Sequence, residues 1–114
     1  MYTKLERERY NEHRERACKS LGISKNQYNW LRRKGNEYHS ACEENCNGTY
    51  TEQQYDARTM CLEKEIYAYL VKEKLNTKDH KMYVYFQTDP RGATIYLDRE
   101  PILENNYTNA VCIY

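Results

Sequence analysis

Three residues with metal-binding side chains share one predicted helical face: His39, Cys42 and Cys46 stand at i, i+3 and i+7. Cys61 is the obvious fourth ligand, and tetrahedral zinc takes four such groups. If two antiparallel helices carry these residues, Cys61 lies opposite residue 36, about 15 Å along the axis from Cys46 at 1.5 Å per residue. One ion cannot bridge that distance, so we expect no metal and no cofactor. A small Cys/His metalloprotein, with three ligands from one helix, is the less favoured alternative.

A disulfide between Cys42 and Cys46 is not expected either. Helical i, i+4 Cβ atoms are about 5–6 Å apart, whereas a disulfide needs about 3.5–4.5 Å. The chain has five cysteines, an odd number without the density of a disulfide scaffold. We therefore predict free, buried thiols in a reducing, cytosolic setting.

Catalytic signatures are missing from the sequence. Cys18, His13 and His80 have no signature context, and the sequence contains no Walker loop, GxGxxG, HExxH or GxSxG. A Cys–His nucleophile pair stays open, because any chain with five cysteines and three histidines offers one. We expect a protein that is not an enzyme.

The stretch ACKSLGISKNQYNWLRRKG, residues 17–35, resembles the helix-turn-helix of bacterial DNA-binding proteins of the Fis type. In that motif the second helix lies in the major groove, and Ser24 would cap it. The resemblance implies an alternative function, a nucleic-acid-binding module that uses residues 14–34. Its base-reading and phosphate-contacting residues would be Lys25, Asn26, Gln27, Asn29, Arg32, Arg33 and Lys34. A helix–turn–helix of purely structural purpose is the competing interpretation, since the overall net charge is only +1.

The stretch FQTDPRGATIYLD, residues 86–98, predicts a hairpin. Asp89, Pro90 and Gly92 match the preferences of a type I turn at its first, second and fourth positions. Arg91 is not required by the turn, and its guanidinium would be free to meet a carboxylate or a phosphate. We therefore include Arg91 among the candidate partner-binding residues.

Alternation with period two begins at Met82. Met82, Val84 and Phe86 should point one way, and Tyr83, Tyr85 and Gln87 the other. A second strand covers Thr94 to Leu97, and Val111 to Tyr114 forms a short terminal strand. The chain has 13 tyrosines, and tyrosine is enriched at protein interfaces. Three of them complete the predicted partner-binding surface with Arg91: Tyr83, Tyr85 and Tyr96.

Three capping boxes predict three helices, beginning after Thr3, Ser24 and Thr51. The first should run from about 3 to 20 and the second from about 24 to 46, unless Gly35 marks an earlier end. The third should end near residues 75–76. Helices two and three, joined by about four residues, should form an antiparallel hairpin.

These elements predict one α+β domain, with a helical part over residues 1–76 and a small antiparallel sheet over residues 81–114. Charge is uneven: residues 1–40 carry net +5 and residues 41–114 carry net −4. No apolar run approaches the length of a membrane span, and MYTKLERERY lacks the apolar region of a signal peptide. We expect no membrane association.

The segments CNG (46–48), QTDPRGATIY (87–96) and YTNAVCIY (107–114) resemble a family of small phage and prophage proteins of uncharacterised function. The likeness, with an LGIS-type helix start, spans residues 20–114. It implies an accessory protein in the bacterial cytoplasm and carries over no catalytic residue. We expect it to bind a host or phage protein, for example to inhibit a defence system, with nucleic acid as the alternative partner.

Overall fold

The computed structural model describes residues 3–89, 92–103, 106–107 and 109–114. In these residues three helices, α1 (Lys4–Leu21), α2 (Lys25–Cys46) and α3 (Glu52–Lys72), precede three strands. The strands are β1 (Tyr83–Asp89), β2 (Gly92–Asp98) and β3 (Val111–Cys112), and they form one antiparallel sheet in the order β1-β2-β3. The predicted α+β class is confirmed.

All three predicted capping boxes are present. Thr3 with Glu6, Ser24 with Gln27 and Thr51 with Gln54 exchange side-chain and backbone hydrogen bonds at the helix starts. Each pair satisfies two amides that have no partner inside the helix. Gly22 ends α1 with φ of +69°, which suits a residue without a Cβ.

Gly35 lies inside α2 and does not end it, so the interpretation as an earlier helix end is wrong. A Cβ at Gly35 would lie 2.7 Å from the Tyr114 Cβ and 3.6 Å from Ile95 Cδ1. The glycine is tolerated in mid-helix because it lets the sheet and the C-terminal segment approach α2 closely.

Helix α3 ends at Lys72, three residues before the predicted end at 75. Lys74 takes a left-handed conformation with φ of +58°. The Leu75 amide then donates to the Leu70 carbonyl at 2.8 Å, which closes a Schellman-type turn and buries Leu75. The periodic apolar pattern continues past the helix because the turn returns Leu75 to the core.

Helices α2 and α3 form the predicted antiparallel hairpin. Trp30 stacks on Tyr69 with ring centroids 3.7 Å apart. Farther along α2, Tyr38 donates to Glu63 at 3.4 Å. The contacting residues therefore follow opposite orders along the two helices, as in an antiparallel pair. The prediction of this hairpin is confirmed.

The sheet lies against the three helices with one face. Val84 pairs with Leu97 and Phe86 with Ile95, and these side chains pack in the core with Met82, as alternation predicts. Helix α2 lies over β2, where the Ala93 amide donates to His39 Nδ1 at 3.0 Å. Helix α1 lies on the β3 side, where His13 Nε2 is 2.9 Å from the Cys112 carbonyl oxygen.

Arg99 joins the ends of several elements. Its Nε donates to the Leu21 carbonyl at 2.8 Å, and its Nη1 donates to the carbonyls of Leu75 and Lys81. These oxygens belong to the last residue of α1, to the turn after α3 and to the segment that leads into β1. The Arg99 guanidinium thus satisfies carbonyls at the end of α1 and in the turn after α3 that would otherwise lack a partner.

Candidate functional site

The outer face of the sheet, turned away from the helices, carries a cluster of tyrosines. Tyr85 pairs with Tyr96 across β1 and β2, with ring centroids 6.2 Å apart. Tyr107, from the loop before β3, stacks on Tyr85 at 5.5 Å and meets Tyr96 at 4.8 Å. We call Tyr83, Tyr85, Tyr96 and Tyr107 the tyrosine face.

Strand alternation puts the rings of Tyr83, Tyr85 and Tyr96 outside. Their strand neighbours Val84, Phe86, Ile95 and Leu97 face the core, so the intervening residues must face away from it. Tyr83 stands opposite Asp98 at one end of the ladder. Each ring of the tyrosine face is half-buried against its neighbours, which makes the cluster a preformed surface.

Sequence reasoning missed Tyr107. It follows no strand period, and only the fold of the loop brings it to the sheet. Its hydroxyl accepts from Gln87 Nε2 at 2.8 Å, which anchors the ring over β1. The one signal in the sequence is that Tyr107 is the single aromatic residue of a loop rich in polar residues.

The strands that carry the tyrosine face contain no cation. Burial, followed by the nearby Cys112, Tyr107 and Tyr85, raises the pKa of Tyr96 above its ordinary value. The three strands contain two aspartates and no lysine or arginine. Such a surface offers ring faces and hydroxyls, but the described strands supply no positive charge with which to hold phosphates.

Arg91, the remaining predicted partner-binding residue, lies outside the described residues, as does Pro90 of the predicted turn. The pairing of Asp89 with Gly92 shows that β1 and β2 come together at that end. The hairpin is therefore confirmed up to Asp89 and Gly92, the residues that flank its tip.

A histidine next to the hairpin end is occupied on both ring nitrogens. His39 Nδ1 accepts from the Ala93 amide at 3.0 Å, and Nε2 lies 2.6 Å from Glu43 Oε1. An open cavity of about 360 Å³ between His39 and the strand ends includes Gln87 and Thr94 in its walls. Because both nitrogens are held, His39 serves to fasten β2 to α2.

The cysteines do not gather. Cys42 is buried, with its sulfur 3.2 Å from the Tyr55 hydroxyl, whereas Cys46 and Cys61 are exposed, contrary to the prediction of buried thiols. They are exposed because the outer sides of the hairpin helices have no element packed on them. All five cysteines are free. Among the described residues, no three His, Cys, Asp or Glu side chains are grouped to hold a metal ion.

The predicted nucleic-acid residues divide into two sets. Lys25, Asn26 and Arg33 form the first set and lie exposed on α2. The other four hold contacts within the protein. Gln27 completes a capping box, and Asn29, although exposed, accepts from Arg14 at 3.3 Å.

Arg32 and Lys34 each contact side chains or carbonyls of several other residues. Arg32 donates to the Ile113 carbonyl at 3.0 Å, and its guanidinium lies 5.0 Å from the Tyr10 ring and 5.4 Å from the Tyr114 ring. Lys34 binds Glu65 and Glu37, which raises its pKa. Both cations help to attach α2 to neighbouring elements.

Helix α1 also packs along α2 as an antiparallel neighbour. Tyr10 meets the Tyr28 ring at 6.3 Å, and farther along α1 the Cys18 sulfur lies 3.6 Å from the Ser24 carbonyl. With α1, α3 and β2 around it, α2 exposes only a narrow strip. A groove of about 430 Å³ remains beside that strip, with Tyr10, Asn29, Arg32, Arg33, Asn36 and Tyr114 in its walls.

The chain matches no family model, and no curated protein or solved structure is significantly similar to it. Within the part of the chain that the structure describes, no helix is long and apolar enough to cross a bilayer.

Proposed function

We propose that this chain is a non-catalytic binding protein whose tyrosine face contacts another protein. The observation that carries the proposal is the preformed cluster of Tyr85, Tyr96 and Tyr107 on strands without a cation. Tyrosine supplies a large contact area and a hydroxyl at a low cost in conformational entropy. The absence of positive charge on these strands favours a protein over a nucleic acid.

The resemblance of residues 20–114 to phage and prophage proteins supports a host protein as the partner. An accessory protein of a phage acts in the cytoplasm of its bacterial host. A binding protein of this kind can block a host factor, for example a component of a defence system, by occupying its surface. No catalytic group is needed for that action.

The test compares proteins recovered with the tagged chain from host cells. Replacing Tyr85 and Tyr96 together by threonine keeps β propensity and removes both rings. We expect a partner on the wild type and its loss from the double variant. Tyr50→Thr removes a ring near the loop between α2 and α3 and should retain the partner.

Circular dichroism and thermal melting must show that both variants are folded. A partner that stays on the double variant, or is lost equally from Tyr50→Thr, contradicts the proposal. So does a host that yields no partner and shows no growth or defence phenotype.

The groove between α1 and α2 supports nucleic-acid binding as a second candidate. Arg32 and Arg33 line it together with two asparagines and two tyrosines, and Lys25 lies exposed on the same helix. Binding through phosphates would weaken steeply with added salt. Arg33→Ala and Lys25→Ala together should abolish it, whereas Arg32 is unsuitable for the test because it holds Ile113. Salt-independent binding, or none at low salt, removes this candidate.

A further inference from the structure

Strand β1 has one open edge. In the described part of the sheet β1 pairs only with β2. Ile95 exchanges hydrogen bonds with Ile113 and Tyr114 on the β3 side. In an antiparallel sheet the backbone N–H and C=O groups of successive residues point to opposite neighbouring strands. Since Ile95 directs these groups toward β3, Phe86, which pairs with Ile95, directs its own N–H and C=O away from β2. The same holds for Val84 and Thr88, two residues to either side.

This edge lacks the usual protection against pairing. Natural edges carry lysine, proline, a bulge or very short strands. Strand β1 is seven residues long, its sequence is YVYFQTD, and its register with β2 is continuous from Tyr83 to Asp89. Three outward pairs of N–H and C=O are available to another strand.

A flank of α3 overlooks the same edge. Met60, Tyr67 and Val71, spaced by seven and four residues, lie on one side of the helix. They are large apolar side chains with 53%, 47% and 61% of their surface exposed. The edge of the Tyr67 ring meets Phe86 of β1 with centroids 5.9 Å apart. We call the open edge of β1 and this flank of α3 the edge groove.

The spacing of the two layers leaves room for one strand in the edge groove. Neighbouring helices lie about 8–10 Å apart, whereas neighbouring strands lie about 4.8 Å apart. Since α2 lies over β2, α3 extends about one strand width beyond β1. A strand added to β1 would lie directly beneath Met60, Tyr67 and Val71.

A second copy of this chain does not fit the edge groove. If β1 paired with β1 of a second copy, the twofold axis would lie about 7 Å from β2. Helix α3 lies farther from β2 than this, so it would cross the axis, and the two α3 helices would collide. The strand contact alone would bury on the order of 500 Å² in total, below the roughly 1,200 Å² of stable interfaces. The occupant must be an extended segment without a helix above its own edge.

The ends of the edge groove differ in charge. Asp56 continues the flank near the start of α3, Lys74 follows the end of the helix, and both are exposed. The start of β1 lies near the end of α3, where the Met82 amide donates to Asn76 Oδ1 at 3.1 Å. Exposed Lys78 and Lys81 add positive charge there. Exposed Asp79 offsets one of these charges, so the start of β1 keeps an excess of lysines, whereas Asp56 puts negative charge at the opposite end of the edge groove.

We propose that the edge groove binds an extended segment of another protein as a fourth, antiparallel strand. An antiparallel segment places its carboxyl end at the basic end of the groove. It therefore carries acidic residues at its carboxyl end, basic residues at its amino end and alternating apolar side chains between them. The proposal rests on the proposed function only in that the partner is a protein, because it uses none of the tyrosine face.

A defined peptide tests the proposal. The probe has about nine residues, with lysine at the amino end, valine and threonine alternating in the middle, and glutamate at the carboxyl end. Titration up to about 1 mM, the weakest affinity of interest, is followed by anisotropy of a label on the peptide. NMR shifts of the amides of Val84, Phe86 and Thr88 report the place of binding.

Thr88→Pro removes one outward N–H and keeps the bonds between β1 and β2, and Thr88→Ala is its matched control. We expect at least a tenfold loss of affinity in Thr88→Pro and wild-type affinity in Thr88→Ala. Val71→Asp should also weaken binding, because it removes an apolar contact and puts a negative charge near the glutamate end of the peptide. A peptide with exchanged end charges should bind at least threefold more weakly.

Three results would overturn the proposal: no binding to the wild type, equal binding to Thr88→Pro, or a wild-type dimer that Thr88→Pro dissociates. The double variant Tyr85→Thr, Tyr96→Thr should bind the peptide normally. Peptide binding therefore fails independently of host-partner capture, which separates this proposal from the tyrosine face.

Discussion

The tyrosine face and the basic residues of α2 carry the two candidate functions, and they differ in how far the fold already uses their side chains. On α2, Gln27, Asn29, Arg32 and Lys34 hold contacts inside the protein. On the sheet, the tyrosines contact mainly one another and leave the outer side of the cluster to solvent.

This difference shows why charge is a weak guide to function in a small domain. A chain with few aliphatic residues must attach its helices by other means, and here the Arg32 guanidinium, which lies over the rings of Tyr10 and Tyr114, does so. Cations that resemble a nucleic-acid surface in sequence then become structural. Aromatic residues on an uncovered sheet face have no such internal task.

The largest expected loss of stability comes from a substitution at the contact between the sheet and α2. A Cβ on Gly92 would lie 2.1 Å from His39 Cε1 and 2.3 Å from Nδ1. His39 can yield only by leaving Ala93 and Glu43. We expect Gly92→Ala to lower the free energy of unfolding by about 3 kcal/mol in urea denaturation.

Gly48→Ala is the control for Gly92→Ala. Nothing lies within 4 Å of its added Cβ, although φ is +80°, so a loss of about 1 kcal/mol is expected from backbone strain alone. Equal losses at the two glycines would show that the His39 contact does not hold the sheet to α2.

The neighbouring arginines of α2 give the next largest effect. Arg32→Ala should cost about 2 kcal/mol, because it removes the bond to the Ile113 carbonyl and the contacts with two rings. Arg33→Ala, at an exposed position, should stay within about 0.5 kcal/mol of the wild type. Thermal melts of the two variants measure this difference. An equal loss of stability in Arg33→Ala and Arg32→Ala would contradict it.

The hydrogen bond between Tyr107 and Gln87 can be tested as the contact that holds the loop to the tyrosine face. Tyr107→Phe removes the hydroxyl that accepts from Gln87 and leaves the stacked ring, at an expected cost of about 1 kcal/mol. A double-mutant cycle with Gln87→Leu should give a coupling of similar size. A coupling near zero would mean that the bond does not hold the loop.

The smallest effect at neutral pH concerns a tyrosine inside the helical hairpin. Burial, then the hydrogen bond with Cys42, raises the pKa of Tyr55 from 10 to about 12. The folded protein holds this proton more tightly than the unfolded chain does. The resulting stability is complete below pH 10 and is lost as the pH rises from 10 to about 12.

Tyr55→Phe should make that part of the stability profile less steep, measured by denaturant unfolding across the alkaline range, while tyrosines such as Tyr69, whose pKa is also raised, keep their share. Between pH 7 and 9, the two proteins should show the same pH dependence. A profile that is unchanged above pH 10 would show that the Tyr55 phenol is not protected by the fold.

Local signals allowed much of the architecture to be predicted. The capping boxes at Thr3, Ser24 and Thr51 and the glycine at 22 mark helix ends through bonds between near neighbours in the chain. The end of α3 was missed by three residues, because the turn that returns Leu75 to the core depends on the conformation of Lys74 and on packing.

The candidate sites were predictable only in part. Alternation along the strands is sufficient to place Tyr83, Tyr85 and Tyr96 on one face. Tyr107 and the open edge of β1 could not be found in this way, since both depend on which strand lies beside which. The internal contacts of Arg32 were hidden for the same reason, because Ile113 is far away in sequence.

By itself, then, the sequence determined the helices, the hairpins and the faces of the strands, because these follow from hydrogen bonds and side-chain periods over a few residues. Only the tertiary structure decided which side chains are available to a partner. Availability depends on what packs against each face, and contacts between distant parts of the chain, such as those of His39, Arg32 and Tyr107, set that packing.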